Sequence, residues 1–410
     1  MTEVDLAADH ALSEAAALAS KSAKEEQRTS YLELFFDLVV VLAITQVSTL
    51  IVDDPTAAGF GRAALMLAMI WWAWSGYAWM TNAIDIDSLL IRLVFLAGMG
   101  AMFFMALAVP KAYGGQGLWF VVPYLLVRMI QLVIHPLGVR DDREHLAALM
   151  KLIPWFAVAP VVALVGGFVH GDARVALWSA SLAIDVVGAL SLGGENDFRV
   201  SPGHFAERYE LFVIIALGES IVAIGVGAAN DPRNATFALA VSIAFAGAVA
   251  LWWSYFDFVA TGAERALRFA EPRKRGPLAR DLFTLGHFPL VLGVVLFAVA
   301  AKKTLLDPTH PLSGAGRASL GLGVALVLLT PVIGRYRVIR KVAWERVVGM
   351  AAAPLAVVAV GARLGSMWLI ALVTGVLVGV IAAETRRLRH VRRHIRSGGG
   401  PIGRAFTPES

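Results

Sequence analysis

Long apolar segments separated by short polar ones run along most of the 410-residue chain. A helix that crosses a membrane needs about 20 predominantly apolar residues, and segments of about that length recur twelve times. The pattern therefore predicts an all-α integral membrane protein with about twelve transmembrane helices. The predicted spans cover residues 32–52, 61–82, 89–110, 117–136, 151–170, 173–192, 207–229, 236–260, 281–301, 315–337, 346–362 and 364–384.

The first span carries two acidic residues, Glu33 and Asp37, one helical turn apart. Side chains four residues apart lie on one face of a helix, so both carboxyl groups project the same way. A carboxylate that faces lipid costs about 3 kcal/mol. We therefore expect this face of the helix to contact protein or water.

The seventh span repeats the start of the first. Glu33-Leu34-Phe35 matches Glu210-Leu211-Phe212, and Asp54-Pro55 matches Asp231-Pro232, both at an offset of 177 residues. The agreement predicts an internal duplication into two six-helix repeats. Because six is an even number, both repeats would enter the membrane in the same direction, with a seam or cavity between them. Two tryptophans of the first half, Trp74 and Trp178, have later counterparts in Trp253 and Trp368.

The duplication divides the chain into four predicted parts. Two tails that lie outside the spans flank the two repeats. The parts are an N-terminal tail (1–30), a first six-helix repeat (31–198), a second six-helix repeat (199–385) and a basic C-terminal tail (386–410).

The two copies of the opening motif also resemble a known family. The run Glu33-Leu34-Phe35-Phe36-Asp37-Leu38, which ends in Ala43-Ile44-Thr45-Gln46, is similar to the opening signature of the bacterial low-temperature-requirement A family. Leu217-Gly218-Glu219-Ser220-Ile221 in the second copy resembles the same family. The resemblance extends over residues 28–389 and implies a polytopic membrane protein connected with growth in the cold. It implies no particular biochemical activity.

Composition supports a membrane protein and excludes several kinds of chemistry. Only 16% of the residues are charged, against about 25% in soluble domains. The chain has no cysteine, which excludes disulfides, thiolate metal sites and cysteine nucleophiles. It also lacks a phosphate-binding loop, a zinc-protease motif and a nucleophile elbow. We therefore expect neither a cofactor nor a metal site, and we do not expect an enzyme.

Lysine and arginine are unevenly distributed between the loops. The N-terminus, the even-numbered loops and the C-terminus share 28 of the 36 basic residues, and the opposite side holds eight. The positive-inside rule then places both termini in the cytoplasm of a protein in the inner (plasma) membrane. Basic residues next to a last membrane helix favour contact with anionic lipid headgroups, so we predict lipids rather than nucleic acid as partners. The sequence leaves self-association open.

Charged residues inside the spans are the candidate functional residues. Counted from the helix ends at 1.5 Å per residue, Asp37, Arg128 and Asp185 fall in one layer of the first repeat. Their mutual compensation would make either a structural salt bridge or a gated ion or proton site. Glu219, deep in the seventh span, is either a packed carboxyl or a proton or cation site. His287, near the Asp37 layer, is either a core histidine or a proton-relay partner.

A second group of charged residues lies near the cytoplasmic helix ends. Glu33 and its counterpart Glu210 are predicted to anchor their helices on that side. Arg92 and Arg208 are the predicted cationic partners of this pair.

Three classes of function fit the sequence. The favoured class is a secondary transporter, or a protein that conducts a cation or proton through the seam by means of buried acids. A non-catalytic scaffold or sensor that supports growth in the cold fits as well. A lipid-handling intramembrane enzyme fits least, because it would need clustered histidine and aspartate residues and the sequence has only scattered ones.

Overall fold

The structure, a computed structural model, describes residues 29–84, 86, 88–191, 198–227 and 234–396. Helix is the only regular structure in those ranges. A helix satisfies its own backbone N–H and C=O groups, as an apolar surrounding demands. The helices are α1 (Tyr31–Asp53), α2 (Ala57–Ala83), α3 (Leu89–Ala108), α4 (Gly117–Gly138), α5 (Arg143–Met150), α6 (Ile153–Phe168), α7 (Gly171–Ser191), α8 (Pro202–Gly227), α9 (Ala235–Phe256), α10 (Val259–Arg268), α11 (Pro272–Ala279), a π-helical segment (Arg280–Leu285), α12 (His287–Leu306), α13 (Gly314–Ile339), α14 (Trp344–Val360), α15 (Ser366–Arg387) and α16 (Arg389–Arg396).

Each of the twelve predicted spans overlaps a helix, namely α1–α4, α6–α9 and α12–α15, and the ninth span, 281–301, begins in the π-helical segment. In the described part of the chain, eight helical stretches are long and apolar enough to cross a membrane. They contain α1, α3, α4, α7, α9, α12, α13 and α15, and the pair α5–α6, bent by 41°, is a ninth candidate. These features fit an all-α, multi-pass membrane protein.

The ends of the helices lie at two opposite ends of the molecule. At one end, the amide of Asn82, at the end of α2, donates to the carbonyl of Ser201, just before α8. We call this the basic end, because the loops predicted to be rich in lysine and arginine lie there. At the opposite end, the hydroxyl of Ser366, which begins α15, donates to the carbonyl of Asp307, just after α12.

The helices pack in the same order within each predicted half. In the first half, α1 packs against α2 and α3, and α3, α4, α6 and α7 follow one another, while α2 also contacts α4 and α7. In the second half, α8 packs against α9 and α12, and α12, α13, α14 and α15 follow one another, while α9 also contacts α13 and α15. The main contacts of the first half thus recur in the second, where α9 also contacts α12 and α15 also contacts α12 and α13.

The two halves meet where α1 and α2 pack against α8 and α12. Two hydrogen bonds fix the direction of α1 against α8. Asp37 bonds Arg208, which lies 171 residues later, and Thr45 bonds Glu219, which lies 174 residues later. Because the separation is nearly constant, the two helices run parallel and in register. We call their interface the α1–α8 seam.

Two glycines let α12 and α13 approach closely. A Cβ atom at Gly293 would lie 2.5 Å from the carbonyl oxygen of Gly323, and one at Gly323 would lie 2.8 Å from that of Gly293. Such distances leave no room for a side chain. Small residues at a crossing allow this backbone approach in membrane proteins, so the pair sets the distance between these two helices.

The tryptophan counterparts noted in the sequence are not equivalent in the structure. Trp74 and Trp178 are fully buried, whereas Trp253 and Trp368 are about half exposed, at 49% and 48%. The reason is the face of the helix, because Trp253 and Trp368 lie on exposed faces while their neighbours Ser254 and Leu369 are buried.

The predicted C-terminal tail is partly helical. Residues 386–387 belong to α15 and residues 389–396 form α16, which buries Val391. Arg392 in α16 pairs with Asp257 at the end of α9, so this part of the tail is docked on the basic end. Residues 1–28 of the predicted N-terminal tail, the Asp231-Pro232 repeat and residues 397–410 lie outside the described residues.

Candidate functional site

The basic half of the α1–α8 seam contains a buried ion pair. Nη1 of Arg208 donates to Oδ2 of Asp37 at 2.9 Å, and the indole Nε1 of Trp74 donates to the other carboxylate oxygen at 2.8 Å. All three side chains are fully buried, and the Arg208 guanidinium lies 5.7 Å from the Trp74 ring centre. Both oxygens of Asp37 therefore have a donor, and the charge has a partner.

Glu33 belongs to the same cluster as Asp37 and Arg208 and lies one helical turn nearer the basic end. It forms a capping box with Ser30, whose backbone N–H and hydroxyl donate to the Glu33 carboxylate at 2.9 and 3.0 Å. His204 Nε2 and Arg208 Nε lie 3.3 and 3.6 Å from the carboxylate. Glu33 thus ties the start of α1 to the start of α8. The sequence did not single out His204, because it follows Pro202-Gly203 and reads as part of a loop.

The predicted cationic partners of the two anchoring acids need correction. Arg208 hydrogen-bonds Asp37 and forms an ion pair with Glu33, rather than with the neighbouring Glu210. Glu210 is half-buried and lies near the carboxyls of Glu264 and Glu207 instead. Arg92 is exposed on α3 and is not a partner of Glu33. The two acids match in sequence but not in surroundings, because only the first lies on the seam between the halves.

The predicted layer of three charges in the first half is only partly present. Arg128 on α4 and Asp185 on α7 pair at 2.5 Å, and both are buried. Asp37 does not belong to this group, because its cation comes from α8 in the other half. Counting residues from the helix ends correctly predicted that Arg128 and Asp185 lie at the same depth. It could not show which helix would lie beside α1.

The Arg128–Asp185 pair has further contacts that hold it in place. Arg128 Nη1 lies 3.4 Å from the side-chain oxygen of Gln131, which in turn donates to the Ala73 carbonyl. The guanidinium lies 5.1 Å from the ring centre of Phe156. These contacts connect α4 and α7 with α2 and α6.

Glu219 differs from the other buried acids, because hydroxyl groups rather than a cation surround it. The Thr45 hydroxyl lies 2.6 Å from one carboxylate oxygen and the Ser48 hydroxyl lies 3.2 Å from the other. Glu219 is buried, with only 4% of its surface exposed, yet it makes no ion pair within the described residues. The adjacent Ser220 is fully buried, and its hydroxyl has no hydrogen-bond partner among those residues.

Glu219 lies toward the opposite end of the seam from Asp37. Its partner Thr45 lies midway along the second part of α1, eight residues after Asp37 and eight residues before Asp53, the last residue of the helix. At 1.5 Å per residue, each distance is about 12 Å. The buried positions between the two acids on α1 and α8 are apolar, and include Val40 and Ala216. The seam is therefore closed between its two polar sites.

His287 is a satisfied core histidine. Its Nδ1 lies 2.8 Å from the carbonyl oxygen of Leu282, which can only accept, so Nδ1 carries the proton. Its Nε2 lies 2.7 Å from the hydroxyl of Tyr255, which therefore donates. The ring is also stacked on Phe283. Both nitrogens have partners, and no acid of the seam is among them.

A hydrogen-bond cluster around Thr284 joins the halves and was not visible in the sequence. The Thr284 hydroxyl lies 2.9 Å from both the Tyr209 hydroxyl and Trp79 Nε1, and its carbonyl accepts from Trp71 Nε1 at 2.7 Å. Thr284 belongs to the π-helical segment, where the ordinary i−4 ladder is interrupted. Side chains of α2 therefore bond groups that a regular helix would use itself.

The sequence also missed a buried ion pair in the second half. Arg346 at the start of α14 pairs with Glu384 near the end of α15 at 2.7 Å, and it bonds the hydroxyl and carbonyl of Ser254. Both charged residues lie at the ends of predicted spans, so they read as interfacial. In the described part of the chain, no group of three or more histidine, aspartate or glutamate side chains could hold a metal ion.

Comparison with known proteins agrees with the membrane architecture. The chain is 29% identical, over 385 residues, to an uncharacterized protein of Rhizobium meliloti (strain 1021). The match covers 91% of this chain and 93% of that protein. No solved structure matches. The family model described as bacterial low temperature requirement A protein (LtrA) matches residues 28–382. The opening motif on α1, its second copy on α8 and the helices between them thus fall within one family match, and the chain belongs to the bacterial low temperature requirement A protein family.

Proposed function

We propose that this protein is a secondary transporter or conducting protein that moves a proton or a small cation along the α1–α8 seam. The observation that carries the proposal is Glu219, a buried carboxyl in a membrane-length helix without a cationic partner in the described residues. Structural acids in this protein, such as Asp37 and Asp185, have arginine partners. A carboxyl surrounded by hydroxyls can instead take up a proton, or a cation that prefers oxygen ligands.

The closed seam implies that conduction needs a change of structure. Apolar side chains separate Glu219 from the Asp37–Arg208 pair. A route to the basic end therefore requires the two halves to move relative to each other, as in alternating access. In this proposal the Asp37–Arg208 bond holds the closed state, and its opening gives Glu219 access to the cytoplasm.

The proposal includes twelve spans arranged as two parallel six-helix repeats. Support comes from the similar order of the main helix contacts in the two halves and from the parallel packing of α1 and α8. The helices α2, α8 and α14 would complete the count. Two of these, α2 and α8, are enclosed by other helices, so they can carry more polar residues than helices that face lipid.

We also propose that the basic end faces the cytoplasm of the plasma membrane, where it contacts anionic lipid headgroups. The docked helix α16 exposes Arg389 and Arg393 at that end. Each basic residue near an anionic surface contributes about 1 kcal/mol to binding. Self-association through the lipid-facing surface, and the lack of an enzymatic activity, belong to the same proposal.

Flux through purified protein in liposomes tests the function. Vesicles that contain a pH-sensitive or a potassium-sensitive dye should report flux for the native chain. Glu219→Gln keeps the volume but removes the charge, so it should abolish flux while the protein remains folded. Glu210→Gln, on the same helix but away from the seam, is the matched control and should retain flux.

The alternative functions predict other results. A non-catalytic scaffold or sensor that supports growth in the cold would give no flux in either dye assay. A lipid-handling enzyme would instead alter the lipids of the vesicle. Native flux that Glu219→Gln leaves unchanged would refute the role of this carboxyl.

A further inference from the structure

A cavity of about 110 Å³ lies at the basic end, where the two halves meet. The helices α2, α4, α6 and α7 of the first half form most of its wall, and the α11–π segment of the second half closes it. It is separate from the α1–α8 seam. Its volume is comparable to that of protein cavities that hold a single benzene ring.

The cavity combines aromatic walls with two cationic side chains. Trp72, Trp79 and Phe156 line it, as do Arg128 and Arg280. Aromatic rings offer a large apolar contact area, while a guanidinium in such surroundings favours a planar anion. The lining therefore suits a ligand with an apolar body and an anionic group.

The charges around the cavity do not cancel. Arg128 pairs with Asp185, so that pair is neutral as a whole. Arg280 and Arg337 share one carboxylate, that of Asp281, at 2.7 Å each. Among the ionised side chains that line the cavity and their ion-pair partners, counted within the described residues alone, one positive charge is thus left over. A single negative charge on a ligand would balance it.

Two polar atoms of the lining residues lack partners. Nε of Arg128 and Nε2 of His135 are buried, and neither has a hydrogen-bond partner among the described residues. Buried polar groups in proteins nearly always have a hydrogen-bond partner, because an unsatisfied one destabilises the fold. Both atoms belong to residues that line the cavity, so an occupant of the cavity is a candidate for the missing partner.

We propose that this cavity binds a small amphipathic monoanion, namely a carboxylate on an aromatic ring or a similarly sized apolar body. The ring packs among Trp72, Trp79 and Phe156, and the carboxylate accepts hydrogen bonds at the arginine side of the cavity. The further idea that this anion is the transported cargo rests on the proposed function. In that case, a proton taken up at Glu219 would offset the charge of the anion. Binding to the cavity does not depend on transport and is measured without flux.

The test compares two ligands of nearly the same shape on the full-length protein in nanodiscs. Benzoate carries one negative charge at pH 7, and benzamide is its neutral analogue. Isothermal titration calorimetry should detect binding of benzoate and at least about tenfold weaker binding of benzamide, since a hydrogen bond to a charged group contributes roughly 1.5–3 kcal/mol.

A pair of variants locates the site. Arg280→Gln removes a cation from the cavity wall but leaves Asp281 paired with Arg337, so the fold should persist. It should weaken benzoate binding about tenfold and leave benzamide binding unchanged. Arg337→Gln removes the other partner of the same carboxylate but no wall residue. It also removes the surplus positive charge but leaves the Arg280 guanidinium on the wall, so it is the comparison variant and should weaken benzoate binding less than Arg280→Gln does.

Three results would overturn the proposal. Equal affinities for benzoate and benzamide would mean an apolar cavity without a preference for anions. Equal effects of Arg280→Gln and Arg337→Gln would place any binding elsewhere. The absence of benzoate binding to a native protein that is folded, as judged by its thermal unfolding, would exclude this ligand class. If benzoate binds but no flux is seen in liposomes, the site stands and the transport function fails.

Discussion

The guanidinium of Arg208 lies 2.9 Å from the carboxylate of Asp37 and thereby joins the first helix of one half to the first helix of the other. Neither residue is exposed to solvent. Residues from opposite halves thus complete a single buried ion pair.

Removing one partner of this ion pair should destabilise the protein, whereas removing both partners together should cost much less. Arg208→Gln leaves Asp37 buried without its cation, which costs roughly 3–5 kcal/mol in comparable pairs. The double variant Asp37→Asn/Arg208→Gln removes both charges and should regain most of the loss. Membrane abundance and thermal unfolding of the purified protein measure both effects. A double variant no more stable than Arg208→Gln would contradict the pairing.

The hydroxyl that contacts Glu219 should be required for flux. Thr45→Val has nearly the same shape but removes the hydroxyl 2.6 Å from Glu219, so flux in liposomes should fall at least about tenfold if this bond contributes 1.4 kcal/mol or more. Thr49→Val is the control, because the Thr49 hydroxyl donates to the Thr45 carbonyl and not to Glu219. Equal flux in the two variants would separate Thr45 from the function.

The glycine crossing of α12 and α13 should not tolerate a methyl group. Gly293→Ala would place a Cβ atom 2.5 Å from a backbone oxygen, and overpacking of this kind costs roughly 1–3 kcal/mol. Gly375→Ala is the comparison, because no atom lies within 4 Å of its added Cβ. The unfolding temperature should fall for the first variant and stay within a few degrees of native for the second. A fall of the same size in both would refute this account.

The orientation can be checked with reporter fusions. Fusions after Asp54 or Asp172 should report the outside, and fusions after Lys274 or at the C-terminus should report the cytoplasm. The reason is the excess of lysine and arginine at the basic end. Alkaline phosphatase and green fluorescent protein respond to opposite sides of the membrane and so control for each other. A phosphatase signal from the loop at 264–280 would be incompatible with twelve spans.

The positions of the helices could be predicted because membrane-length apolar segments leave the backbone little choice. The family could also be recognised from the two copies of the opening motif. The short elements were missed for a physical reason. The π-helical segment Arg280–Leu285 has no local signature, since its geometry depends on side chains such as Trp71 that bond its free carbonyls.

The partners of the buried charges were predictable only within one half. Arg128 and Asp185 could be matched by depth, because both are counted from nearby helix ends. The partner of Asp37 required knowledge of which helix packs against α1, and that is decided by the contact between the halves. The role of Glu219 depends on Thr45 and Ser48, two ordinary hydroxyl residues that carry no signal in a sequence.

The distance along the chain between Asp37 and Arg208 has a consequence for biogenesis. The two residues are 171 positions apart, and a ribosome adds roughly 5–20 residues per second. The first helix is therefore complete roughly ten to thirty seconds before its counter-charge has been synthesised. During that interval, the acidic face of the nascent helix must be sheltered from lipid. The buried ion pair that joins the two halves can therefore form only after the whole first half of the chain has been synthesised.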